Sequence, residues 1–64
     1  MTRKDYVMIA ESIKGSINYE KSFNSNQDGA NALKFLAITL SSSLEEDNPR
    51  FDRARFLDAC GVSN

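Results

Sequence analysis

Between residues 30 and 44 the apolar side chains Ala30, Leu33, Ala37, Leu40 and Leu44 step by 3, 4, 3 and 4 positions. That is a seam with a period of about 3.5 residues, the mark of a helix packed lengthwise on others. A strand cannot gather these five on one face, because strand side chains alternate with a period of 2. The seam predicts one long helix over about residues 27 to 46, opening near Asn26 or Asp28. It becomes the spine of the fold, with Leu36 on its flank. Phe35 and Ile38 point well away from the seam when each residue is advanced by about 100°. One helix thus carries two apolar faces. In a three-helix monomer the second face meets another helix of the same chain; in an oligomer, Phe35 and Ile38 lie at a subunit contact.

The closing stretch NPRFDRARFLDACGV, Asn48 to Val62, is the segment where every local signal agrees. Asp52 is a good N-cap, and Phe51 and Phe56 stand at the N′ and N4 positions of a hydrophobic staple. Gly61 can take the left-handed C′ conformation, with Val62 reaching back to Leu57 in a Schellman ending. A short helix over about 53 to 60 follows. Isolated helices below roughly 12 residues are marginal in water, so Phe51, Phe56, Leu57 and Cys60 must pack on the rest of the chain.

At the start, Thr2 and Asp5 form a capping-box-like pair. Tyr6, Ile9, Ala10, Ile13 and Ile17 follow at helical spacing, with Val7 and Met8 beside the stripe. This predicts a first helix over about 3 to 14 with Gly15 as its C-cap. Residues 15 to 29, GSINYEKSFNSNQDG, hold three asparagines, three serines and two glycines and are the poorest helix formers of the chain. A loop is expected there, although Tyr19 and Phe23, four apart, would suit a prolonged first helix. The fold class is therefore all-α, a small three-helix domain with a long central helix. Its expected core is Ile9, Ile13, Leu33, Leu36, Ala37, Leu40, Leu44, Phe51, Phe56, Leu57 and Cys60.

A chain of 64 residues buries only about 60% of its unfolded surface, so this core is thin. One cysteine and no histidine leave neither an intramolecular disulfide nor an ordinary zinc site as a staple. Oligomerisation is the remaining device. The same inventory removes the commonest general base and every Ser-His or Cys-His nucleophile arrangement. Cys60 sits at a helix C-terminus, where the dipole raises a thiol pKa, and reads as a small core residue. No Gly-rich phosphate loop and no metal-ligand spacing is present, so no enzyme and no cofactor is expected. No apolar run approaches a membrane span and no leader is legible, and a lone cysteine fits a reducing, cytoplasmic setting.

Glu45, Glu46 and Asp47 stand at the negative end of the second helix, and Arg50 and Arg53 follow directly. This reads as an electrostatic corner between two helices. Arg50, Arg53 and Arg55, with Arg3 and Lys4 at the far end of the chain, are also the only basis for nucleic-acid contact. Arg53 and Arg55 fall on different helix faces, and Asp52 and Asp58 each lie three residues from Arg55, which neutralises the charge. The net charge of −1 argues against non-specific binding to DNA or to an anionic membrane.

The opening RKDYVMIAESI, Arg3 to Ile13, and the closing DNPRFDRARFLDACGV, Asp47 to Val62, resemble the two ends of a family of very short uncharacterised proteins from bacteriophages and phage-bearing bacteria. Its members carry an Arg-Lys-aromatic start and an Asn-Pro-Arg-Phe-Asp-Arg-x-Arg-Phe-Leu-x-Ala-Cys-Gly end around a variable middle. The resemblance covers under half of the chain. It implies a context, since small phage accessory proteins act by occupying a surface on a host or phage protein or by joining a regulatory complex. The expectation is a non-catalytic protein that works by protein–protein contact as a helical homo-oligomer. The alternative is a small nucleic-acid-binding regulator using the arginines near the C-terminus.

Overall fold

A computed structural model describes residues 2–23 and 27–62. Three helices pack against one another: α1 over Arg3–Phe23, α2 over Asp28–Asp47 and α3 over Arg53–Ala59. Among the described residues there is no strand. The chain is an all-α three-helix domain, 38 Å long and 17 to 18 Å across.

α1 opens as expected. The Thr2 backbone N–H donates to Asp5 Oδ2 at 3.0 Å, and Thr2 Oγ1 donates to the same oxygen at 3.2 Å. It does not end at Lys14, however; Gly15 lies inside the helix without a positive φ, and the helix runs on to Phe23. The expected loop over 15 to 29 is therefore helical as far as Phe23. Ile17 decides this. It is 2% exposed, on the same stripe as Ala10 and Ile13. Burying such a side chain is worth about 1.5 to 3 kcal/mol, more than the roughly 1 kcal/mol that a helical glycine costs. Ser12 and Ser16 also satisfy their hydroxyls inside the helix, donating to Met8 O at 2.9 Å and Ser12 O at 3.0 Å. The Tyr19 and Phe23 rings, 4.6 Å apart, lie along this prolonged end.

In α2 the start falls at Asp28, after Gln27, which gives no side-chain cap; Asn26, the other expected opening, lies outside the described residues. The helix runs one residue beyond the expected end to Asp47, and the Asn48 N–H closes it on Leu44 O at 2.9 Å. The residues of α2 buried deepest are small: Ala30, Ala37 and Ser41. They let α1 and α3 approach the α2 backbone, while Leu33, Leu40 and Leu44 of the seam are half-buried around them. Leu36 is not in the core; it is 51% exposed. It stands about 100° round the helix from Ala37, away from the side on which Ser41 meets α3.

α3 follows the sequence reading nearly residue by residue. Asp52 Oδ1 accepts the Arg55 N–H at 3.0 Å, and the Phe51 and Phe56 rings meet at 5.4 Å. Gly61 has φ 78°. Its N–H donates to Asp58 O at 3.0 Å, and the Val62 N–H to Leu57 O at 2.9 Å, the two bonds of a Schellman ending. The last helical residue is Ala59, with Cys60 as the cap.

The core consists of Ala10, Ile13, Ile17, Ala30, Ala37, Phe51, Phe56 and Cys60, with Tyr6 closing it through a 4.8 Å ring contact to Phe51. α3 covers one side of the seam between α1 and α2, where Gly61 faces Lys14 and Arg53 meets Ser41. Among the described residues no third helix lies on the opposite side of that seam. Ser12, Ser16 and Tyr19 of α1 and Ala32 and Leu33 of α2 line an open groove there.

Candidate functional site

Phe35 is 71% exposed and Ile38 41%. Neither is consumed by the core. Ile38 lies at the edge of α3, sharing a shallow groove with Arg53, Ala54, Leu57 and Val62. Phe35 lies on the outer side of α2, about 160° round the helix from Ala37, and among the described residues it is not part of the core or of the side chains packed on it. The second apolar face of α2 therefore does not serve as an internal helix contact, beyond the fringe that Ile38 makes with α3.

Sequence reasoning missed a second apolar region on the uncovered side of the α1–α2 seam. Tyr19 lines the groove there, and Met8 and Phe23 of α1 and Leu36 of α2 are further exposed apolar side chains of the same two helices. The rest of the groove is lined by small residues, among them Ser12, Ser16 and Ala32, and by the carboxylates Glu11 and Glu20. The signal was present as a spacing: Met8, Ser12, Tyr19 and Phe23 fall on one side of a helix, provided that the helix continues past Gly15.

The electrostatic corner is not built as expected. Glu45, Glu46, Asp47, Arg50 and Arg55 are all exposed. Among the described residues, none of these three carboxylates forms an ion pair with Arg50, Arg53 or Arg55. Exposed pairs of this kind are worth only about 0 to 1 kcal/mol, and Arg53 has a better partner. Its Nε donates to Ser41 Oγ at 3.0 Å, and Ser41 Oγ donates in turn to Ile38 O at 2.7 Å. Ser41 is completely buried. The hydrogen bond from a charged group to a buried hydroxyl ties α3 to α2.

The three arginines near the C-terminus are therefore divided. Arg53 faces α2, whereas Arg50 and Arg55 face α1, where they join Arg3 around a groove of about 470 Å³. Tyr6, Val7, Ala10, Phe51, Phe56 and Ala59 make its apolar floor, with Asp52 and Asn48 on the rim. Cys60 is fully buried, and burial pushes its thiol above the ordinary range, so it is the opposite of an activated nucleophile. Among the described residues no helix is long and apolar enough to cross a membrane. No protein-family model, curated protein or solved structure matches the chain.

Proposed function

We propose that this chain is a non-catalytic interaction protein of the phage-accessory kind, acting in the cytoplasm of a host cell as a helical homo-oligomer on a second protein. The observation that carries this reading is the one-sided position of α3. It leaves the other side of the α1–α2 seam as a groove lined by Tyr19, small residues and the carboxylates Glu11 and Glu20, while Met8, Phe23, Phe35, Leu36 and Ile38 are exposed elsewhere on the same two helices. Exposed apolar side chains clustered on so small a chain are the usual mark of a surface that another protein covers. Two hairpins facing each other through such grooves would complete a four-helix arrangement around small-residue contacts.

The test is the solution mass by light scattering over a range of concentrations and salt. A mass above the 7.2 kDa of one chain is expected, returning to that value in Phe35→Asp or in Leu36→Asp. Both positions are exposed, so neither change disturbs the core. A folded 7.2 kDa species at every concentration removes the homo-oligomer. Dissociation by one of the two variants alone tells which face is used.

A second reading, a small nucleic-acid-binding regulator, is favoured by one observation: Arg3 joins Arg50 and Arg55 on a single groove. It loses Arg53, which is held by Ser41. It requires binding to weaken steeply as salt is raised, because each neutralised phosphate releases counterions.

A further inference from the structure

We infer that the groove between the first turns of α1 and α3 is a docking site for an acidic segment of a partner protein. Carboxylates of that segment meet Arg3, Arg50 and Arg55, and an apolar side chain rests on the floor of Tyr6, Val7 and Ala59. This deepens the interaction reading above and rests on it, while using a surface separate from the apolar faces of the α1–α2 hairpin.

Charge complementarity carries the argument. Three guanidinium groups from distant parts of the chain line one groove, and among the described residues none of them is paired with a carboxylate. One carboxylate, that of Asp52, also lines the groove. Asp52, on the rim, spends an oxygen on the Arg55 N–H, and Asp5 accepts from Thr2. The arrangement therefore offers cationic, planar donors that suit bidentate pairing with carboxylates, around an apolar patch that would otherwise face water. Val7, 44% exposed, is the open part of that patch.

A nucleic acid fits these observations less well. A polyanion is drawn by a positive field over a wide surface, and this chain carries a net charge of −1 with Glu45, Glu46 and Asp47 exposed and without an arginine partner. Three arginines beside an apolar floor suit a few carboxylates next to an apolar anchor.

The test is a titration of the isotopically labelled chain, followed through its amide signals. The probes are a synthetic peptide with two glutamates on either side of a Leu-Phe pair, its glutamine counterpart, and a short oligothymidylate. The acidic peptide is expected to move the signals of Val7, Ala10, Arg55 and Ala59. Its dissociation constant should rise at least about tenfold for the glutamine peptide and for the double variant Arg3→Gln/Arg55→Gln, whose exposed guanidiniums support no other part of the fold. Absence of movement in the groove, or equal binding of the glutamine peptide, overturns the assignment. Tighter binding of oligothymidylate at the same amides overturns it in favour of the nucleic-acid reading. The titration is repeated on Phe35→Asp. Binding unchanged there supports a groove independent of self-association, and binding lost there overturns it. Self-association fails separately, by a solution mass of one chain.

Discussion

Arg53 donates its Nε hydrogen to the hydroxyl of Ser41, a residue with no exposed surface, and so joins two helices across a corner of twelve residues. Removing the acceptor by Ser41→Ala leaves a half-buried guanidinium N–H without its partner, a loss expected to be about 1 to 3 kcal/mol. In a domain of this size that lowers the melting temperature by at least about 4 °C. A double-mutant cycle with Arg53→Ala isolates the bond, and a coupling of at least about 0.5 kcal/mol is expected. Strictly additive losses would show that the two residues do not interact.

Phe56→Ala should unfold the protein. The ring is 5% exposed and lies against Phe51, which in turn meets Tyr6, so one substitution empties the place where α1 and α3 join. The expected cost is about 3 to 5 kcal/mol, comparable to all the stability that a core this small supplies. Far-UV circular dichroism reads the outcome. A variant that keeps its helicity and melts near the parent temperature contradicts the role given to this ring.

Two glycines should respond oppositely to the same change. At Gly15 a Cβ meets nothing within 4 Å, inside a helix with ordinary backbone angles, so Gly15→Ala should stabilise by up to about 1 kcal/mol. At Gly61 there is room as well, the nearest atom being Lys14 Cγ at 3.6 Å, but φ is 78°. Gly61→Ala should therefore destabilise by about 1 to 2 kcal/mol through the backbone alone. Denaturant titration of both variants gives the signs, and a stabilising Gly61→Ala would rule out the left-handed ending.

Cys60 makes stability depend on pH on the alkaline side. Burial raises its pKa from the usual 9.0, so the unfolded thiol ionises first as the pH rises. The unfolded state then binds fewer protons than the native one, and the sign is fixed: the contribution is complete below about pH 9 and is lost as the pH climbs toward the folded pKa. Thermal melts from pH 7 to pH 10 should fall at the upper end, and Cys60→Ala should flatten that fall. The native thiol should react with Ellman's reagent only as fast as the chain opens.

How far the sequence could be read depended on how local each signal was. The cap at Asp52, the Phe51–Phe56 staple and the Gly61 ending lie within a dozen residues of one another, and α3 appears where they place it. The end of α1 differs because Gly15 and the asparagines and serines after it speak for a loop, whereas Ile17 is buried by tertiary packing that the sequence does not display. Leu36 was assigned to the core by a heptad argument that treats both flanks of α2 alike. Only the packing of α3 on one flank distinguishes them. The groove at Arg3, Arg50 and Arg55 joins residues from opposite ends of the chain, and no spacing rule connects them. Ser41 falls four residues after Ala37 on the seam side, and the three consecutive serines suit a close helix approach, but nothing in the residue type singles out Ser41 as the buried one.

The ring contact between Tyr6 and Phe51 has a consequence for how the chain opens. It closes a loop over most of the sequence, so it can exist only when the segments between are already compact, and its loss releases both ends together. The first turns of α1 and the whole of α3 therefore form one cooperative unit, whose amides exchange with solvent in common events. The far end of α1, where the exposed rings of Tyr19 and Phe23 meet, lies outside that unit. A single pair of rings thus ties the first turn of α1 to the approach of α3.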